Sequence, residues 1–144
     1  SDLAEAFTAE QTLVERLHRA IGGPIRVCLG SVAHADGTLL RVGRDHFWVA
    51  DDAGFWVIVT DKVEALSGWQ DLRPGLSELA RSEQILQPGL GSALRELVDS
   101  GRTVSVLVRT RWLAGKPTCV GRDFLEVGSV GVPFTQIRAC RVWY

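Results

Sequence analysis

Two stretches decide how this chain is read: Val42-Gly43-Arg44-Asp45-His46-Phe47-Trp48-Val49 and Val120-Gly121-Arg122-Asp123-Phe124-Leu125-Glu126-Val127. Each reads as a turn leading into an apolar strand. Internal repeats are sought first, because a missed repeat miscalls the fold. With Val42 set on Val120, Phe47 falls on Leu125 and Val49 on Val127. Allowing for a longer turn in the first copy, Ile58 falls on Val132, Ala65 on Ala139 and Trp69 on Trp143. Working backward, Gly37 falls on Gly115 and Leu39 on Pro117. Ile25, Val27 and Leu29 fall on Val104, Val106 and Val108. The matches are apolar residues in one phase, as a repeated core would keep.

Each copy has the same local order. Leu13, Leu17, Ala20 and Ile21 share one helical face over residues 10–22. Thr8 is expected to cap that helix, and Gly22-Gly23-Pro24 to end it. Leu90, Leu94, Leu97 and Val98 repeat the face in the second copy, with Ser92 as cap and Gly101 as stop. Alternating strands follow, then a hairpin at Asp36-Gly37 or Ala114-Gly115, the Gly-Arg-Asp turn and further apolar strands. The expected fold is mainly β with short helices: two pseudo-repeated five-stranded antiparallel β-barrels, each preceded by an α-helix. Barrel closure would protect the edges of so small a sheet. The expected division is 1–69 for the first helix and barrel, 70–89 for a linker, and 90–144 for the second helix and barrel. The linker is expected to be partly helical, through LSELARSEQIL from Leu76 to Leu86.

This order resembles the Sm and Sm-like family, in which a helix leads into a strongly bent five-stranded sheet. Gly37-Thr38-Leu39, with Gly43-Arg44-Asp45 and the apolar strand behind it, is similar to the family's strand-and-turn motif. Gly115 with Gly121-Arg122-Asp123 is similar to a reduced second copy. The whole chain resembles actinobacterial proteins of unknown function with tandem Sm-like barrels. The resemblance covers 10–69 and 90–144, and implies assembly through edge strands or binding of RNA. The family's polar Asn after the Asp turn and its Arg-Gly near the last strand are missing here, which puts the uridine pocket in doubt.

Composition narrows the function classes. The 144 residues carry 46% hydrophobic and 23% charged residues and a net charge of −1, so no bulk field draws nucleic acid or anionic membrane. No apolar run is long enough to span a bilayer. The opening SDLAEAFTAEQ has no secretion-signal pattern. Cys28, Cys119 and Cys140 are odd in number and lack CxxC spacing. They read as small core residues of a reducing, cytoplasmic compartment. His18, His34 and His46 lack metal-ligand spacing, and Asp51-Asp52 reads as a solvated turn. Pro88-Gly89-Leu90-Gly91 reads as helix entry, because a phosphate loop would need a preceding strand and a Lys.

No catalytic residue, metal ligand or cofactor is therefore assigned. The expected role is a non-enzymatic binding or assembly protein, with itself or another protein as partner and no membrane. Its candidate interaction surface is His46, Trp48, Trp56 and Trp112, since both faces of those strands are apolar. The alternative is an RNA-binding module using Arg41, Arg44, Arg109, Arg111 and Arg122. A small enzyme ranks third. Asp45 and Asp123 are read as turn residues whose carboxylates accept backbone N–H groups.

Overall fold

The computed structural model describes residues 11–73 and 86–144. In chain order these form α1 (Leu13–His18), β1 (Pro24–Cys28), β2 (His34–Val42), β3 (His46–Ala50), β4 (Gly54–Val59) and β5 (Ala65–Ser67). Then come α2 (Leu90–Ser100), β6 (Val104–Val108), β7 (Arg111–Gly115), β8 (Pro117–Val120), β9 (Phe124–Val127), β10 (Val130–Pro133) and β11 (Ile137–Trp143). A short 3-10 turn precedes the last strand of each half, at Thr60–Lys62 and Phe134–Gln136.

Eight strands make one antiparallel sheet in the order β5-β1-β2-β3-β4-β11-β6-β7, and β10-β9-β8 make a second. The two closed barrels expected from the sequence are not formed. Closure would need β4 to meet β5, but β4 spends its free edge on β11, from Ala139 opposite Ile58 to Trp143 opposite Gly54. β5 has only three residues to offer. In the second half the long bent strand is cut at Lys116 into β7 and β8, so the sheet itself divides. Edge protection comes from pairing across the halves rather than from closure.

The register of the first half recurs in the second. Ile25 lies opposite Gly37, and Val104 opposite Gly115. Leu39 opposes Val49 as Pro117 opposes Val127, and the same irregularity follows in both, before Arg41 and before Cys119. Phe47 faces Ile58 as Leu125 faces Val132. Val27 faces Leu66 as Val106 faces Cys140.

The helices differ from expectation in their ends. α1 is one short piece capped by Thr12, whose hydroxyl accepts the Glu15 N–H at 3.1 Å. Ala20 and Ile21 follow in turns, and Gly22 reverses the chain at φ 93°. Thr8 lies outside the described residues, as does 74–85 of the linker. α2 starts at Leu90 with Gly89 as N-cap, so Ser92 sits inside the helix; Gly101 ends it at φ 69°.

Two cores result. Leu17, Val27, Leu39, Phe47, Val49, Trp56 and Ile58 build the first; Leu94, Leu97, Val106, Leu125, Val127 and Ile137 the second. They interlock. Trp48, Val57 and Val59 of the first half pack in the second core, while Leu107 and Ala139 of the second half pack in the first. Successive side chains on β3 and β4 point to opposite faces, and here both faces are covered. That is why these strands are apolar throughout. Each fully buried Val, Leu, Ile or Phe contributes about 1.5–3 kcal/mol, so shared strands bind the halves as firmly as they bind each half.

Candidate functional site

The two Gly-Arg-Asp turns share a backbone. Gly43 N–H donates to the His46 carbonyl and Gly121 N–H to the Phe124 carbonyl, both at 2.8 Å. The Asp45 carbonyl accepts from Thr60 N–H at 3.0 Å, and the Asp123 carbonyl from Phe134 N–H at 2.8 Å. Glycine is required because the aromatic ring three residues on folds back over it: a methyl group on Gly43 would overlap the His46 ring, and one on Gly121 the Phe124 ring.

Their side chains do different things. The expectation that Asp45 closes its own turn needs correction. Its carboxylate accepts from His46 Nδ1 at 2.9 Å and from Leu90 N–H at the start of α2. A carboxylate only accepts, so Nδ1 carries the proton. Asp45 thus caps a helix that its own N-cap, Gly89, cannot. Arg44 N–H donates to the Pro88 carbonyl at 3.0 Å, which fixes the same entry. Burial works to raise the Asp45 pKa, but the His46 bond and charge, Arg44 and the Leu90 N–H together hold it below the usual value. Asp123 is exposed. Beside the first turn lies a cleft of about 570 Å³, lined by Leu13, Arg44, Asp45, Leu90 and Phe134 with the buried, unpartnered hydroxyl of Thr60.

Of the four residues expected to form an interaction surface, three are interior. His46 is 2% exposed, and Trp48 and Trp56 7% each; Trp112 alone is open, at 42%. Trp48 packs on Phe55 with ring centres 5.5 Å apart, and the Arg41 guanidinium lies over it at 4.4 Å. Trp56 meets Trp112 at 6.0 Å. The apolar outer face is thus consumed by the joint between the halves.

Arg141 was not found from the sequence. It is a single cation within the apolar run Ala139-Cys140-Arg141-Val142-Trp143. It is buried against Trp56 and Trp143, 5.0 and 4.1 Å from the ring centres, and Nη2 reaches both oxygens of Asp51 at 3.0 and 2.9 Å. Asp51 is accordingly not the solvated turn residue expected. Burial acts to raise its pKa, but Arg141 and the N–H groups of Ala53 and Gly54 outweigh that and lower it. Trp143 and Tyr144 are both exposed.

The five candidate arginines sit on different elements. Arg41 is engaged by Glu96 of α2 at 3.0 and 3.3 Å. Arg44 borders the cleft. Arg109 lies in the β6–β7 turn and Arg111 begins β7 just after it, and Arg122 sits on the β8–β9 turn. Among the described residues, no three His, Cys, Asp or Glu side chains are placed to hold a metal ion. Burial pushes the Cys140 thiol up to about 12. Among the described residues, no helix is long and apolar enough to cross a membrane.

Four strand edges have no partner strand among the described residues: β5 and β7 at the ends of the large sheet, and β10 and β8 at the ends of the small one. No family model, curated protein or solved structure matches the chain.

Proposed function

We propose that the chain is an assembly module, a binding protein rather than an enzyme. In this reading it holds two versions of one five-stranded unit and adds further copies of itself by repeating its internal junction. One observation carries the reading. The halves join through β4 and β11, and the strands corresponding to these, β10 and β5, are both left at open edges. Carrying the internal register over puts Val132 of one copy opposite Ala65 of the next, and Val130 opposite Ser67. Such a head-to-tail contact closes into a ring or grows as a filament. The helix-first, bent five-stranded unit of the Sm-like family also joins its subunits by edge strands, which supports the same reading.

Sedimentation velocity over a range of protein concentrations tests it. Association should rise with concentration, and Val130→Lys, a charge placed on the β10 edge, should weaken it about tenfold or more. A chain that stays monomeric at every concentration would remove the proposal. The RNA-binding alternative draws less support, because Arg41 is already paired and the other four are divided among three turns.

A further inference from the structure

The open edge of β7 has a chemistry of its own. β7 ends the large sheet, and its residues Arg111, Trp112 and Ala114 are exposed. It is joined to β6 by the two-residue turn Arg109-Thr110, with Val108 opposite Arg111. In such a hairpin the pair flanking the turn exchanges both hydrogen bonds, so pairing alternates from there. The N–H and C=O groups of Trp112 and Ala114 therefore point away from β6, along the open edge.

The turn is held in a costly shape. Arg109 has φ 56°, the only positive value outside glycine among the described residues. A bulky residue there costs on the order of 1 kcal/mol. Arg138 secures it, donating from Nη1 to the Arg109 carbonyl at 2.6 Å. Glycine or asparagine would serve the turn better, so the arginine is kept at the cost of strain.

Charge is lopsided along this edge. From Arg102 to Arg122 the chain has five cations (Arg102, Arg109, Arg111, Lys116 and Arg122) and no carboxylate, within a protein of net charge −1. Arg111 and Trp112 point to opposite faces of β7, and Trp112 is steadied from below by Trp56.

We infer that β7 accepts an extended acidic segment of a partner protein as an added strand. Main-chain bonds to Trp112 and Ala114 supply the pairing. Carboxylates opposite Arg111 and near Arg109 select the charge, and an apolar side chain packs against Trp112. This surface is separate from the β5 and β10 edges, so the inference does not depend on self-assembly.

The test uses the full chain and three probes: a fluorescent peptide of about eight residues alternating Glu and Val, its Lys–Val counterpart, and single-stranded oligouridylate. At low salt, where charge is least screened, the Glu–Val peptide should bind at least about tenfold tighter than the Lys–Val peptide. Ala114→Pro removes an outward N–H without touching a bond to β6, and should weaken the Glu–Val peptide about tenfold or more. Arg109→Glu with Arg111→Glu should invert the preference between the two peptides. Thermal melting checks that each variant is folded. No Glu–Val binding at low salt would overturn the inference, as would binding unchanged in both variants. Oligouridylate binding more tightly than the Glu–Val peptide, and indifferent to Ala114→Pro, would equally overturn it and make the edge a nucleic-acid surface.

Discussion

In the first half Gly43 and the His46 ring that follows the Gly-Arg-Asp turn are buried, with Arg44 and Asp45 exposed; in the second half Arg122, Asp123 and the Phe124 ring are all exposed. Both keep the same two main-chain hydrogen bonds. His46 is buried and bonded to Asp45, whereas its counterpart Phe124 is 38% exposed. Trp48 lies within the second core, and its counterpart Glu126 lies on β9. The two turns share a backbone device, while their side chains differ with their surroundings. One turn faces a neighbouring half and has been fitted to it; the other faces solvent.

The same contrast holds at the junction strands, where the largest effect is expected. The first half has the longer β3–β4 turn, and Asp51 in it neutralises Arg141 of β11. The second half has Gly128-Ser129 in place of that turn, and the first half has Ser67 at the position of Arg141. Asp51→Ala makes the first half resemble the second but leaves the cation buried. It should cost about 3–5 kcal/mol, read as a lowered midpoint in urea. Adding Arg141→Met should recover most of the loss. If the double variant is no more stable than Asp51→Ala, the pair is not what holds this part of the junction.

Glycine to alanine in the two turns comes next. At Gly43 the new methyl meets a buried ring and lies 2.7 Å from the Pro88 carbonyl, so nothing can yield. At Gly121 it meets the part-exposed ring of Phe124, which can swing outward. Gly43→Ala should cost about 2–3 kcal/mol and Gly121→Ala about 1 kcal/mol or less. Equal costs in denaturant unfolding would mean that the first turn is no more tightly held than the second.

These differences explain what could be read from the sequence. Apolar phase gave the strands and their correspondence, since Phe47 and Leu125 are core in either half. Phase does not say which edge a strand will pair with. That β4 meets β11 rather than closing on β5 is a choice between two hydrogen-bonding partners, and Trp56 or Val57 would look the same either way. For the same reason His46, Trp48 and Trp56 read as an apolar surface while a second half stood ready to cover them. Arg141 looked like an ordinary strand cation, because its partner Asp51 is remote in sequence and sits in a turn that usually faces solvent. Arg109 and Arg111 were visible as residues, but the strained turn and the open edge beneath them were not.

The smallest effect concerns the aspartates themselves. Asp45 caps α2 through Leu90, and Asp123 is exposed. Asp45→Ala should cost about 1–2 kcal/mol, the usual value of a helix cap, and Asp123→Ala less than about 0.5 kcal/mol. Part of the Asp45 carboxylate is open to water, so its hydrogen bond with His46 adds little to the cap. The sign of the pH effect follows from the lowered pKa. An aspartate less acidic when unfolded than when folded contributes fully above its unfolded value, about 4, and loses that contribution as pH falls through the folded one. Asp51 behaves alike. Unfolding free energy should therefore drop below about pH 4, and the drop should shrink in Asp45→Ala. If Asp45→Ala loses stability with falling pH just as the parent does, the contacts of Asp45 with His46 and Leu90 do not favour its charged form, and the contrast between the two turns lies in the rings alone.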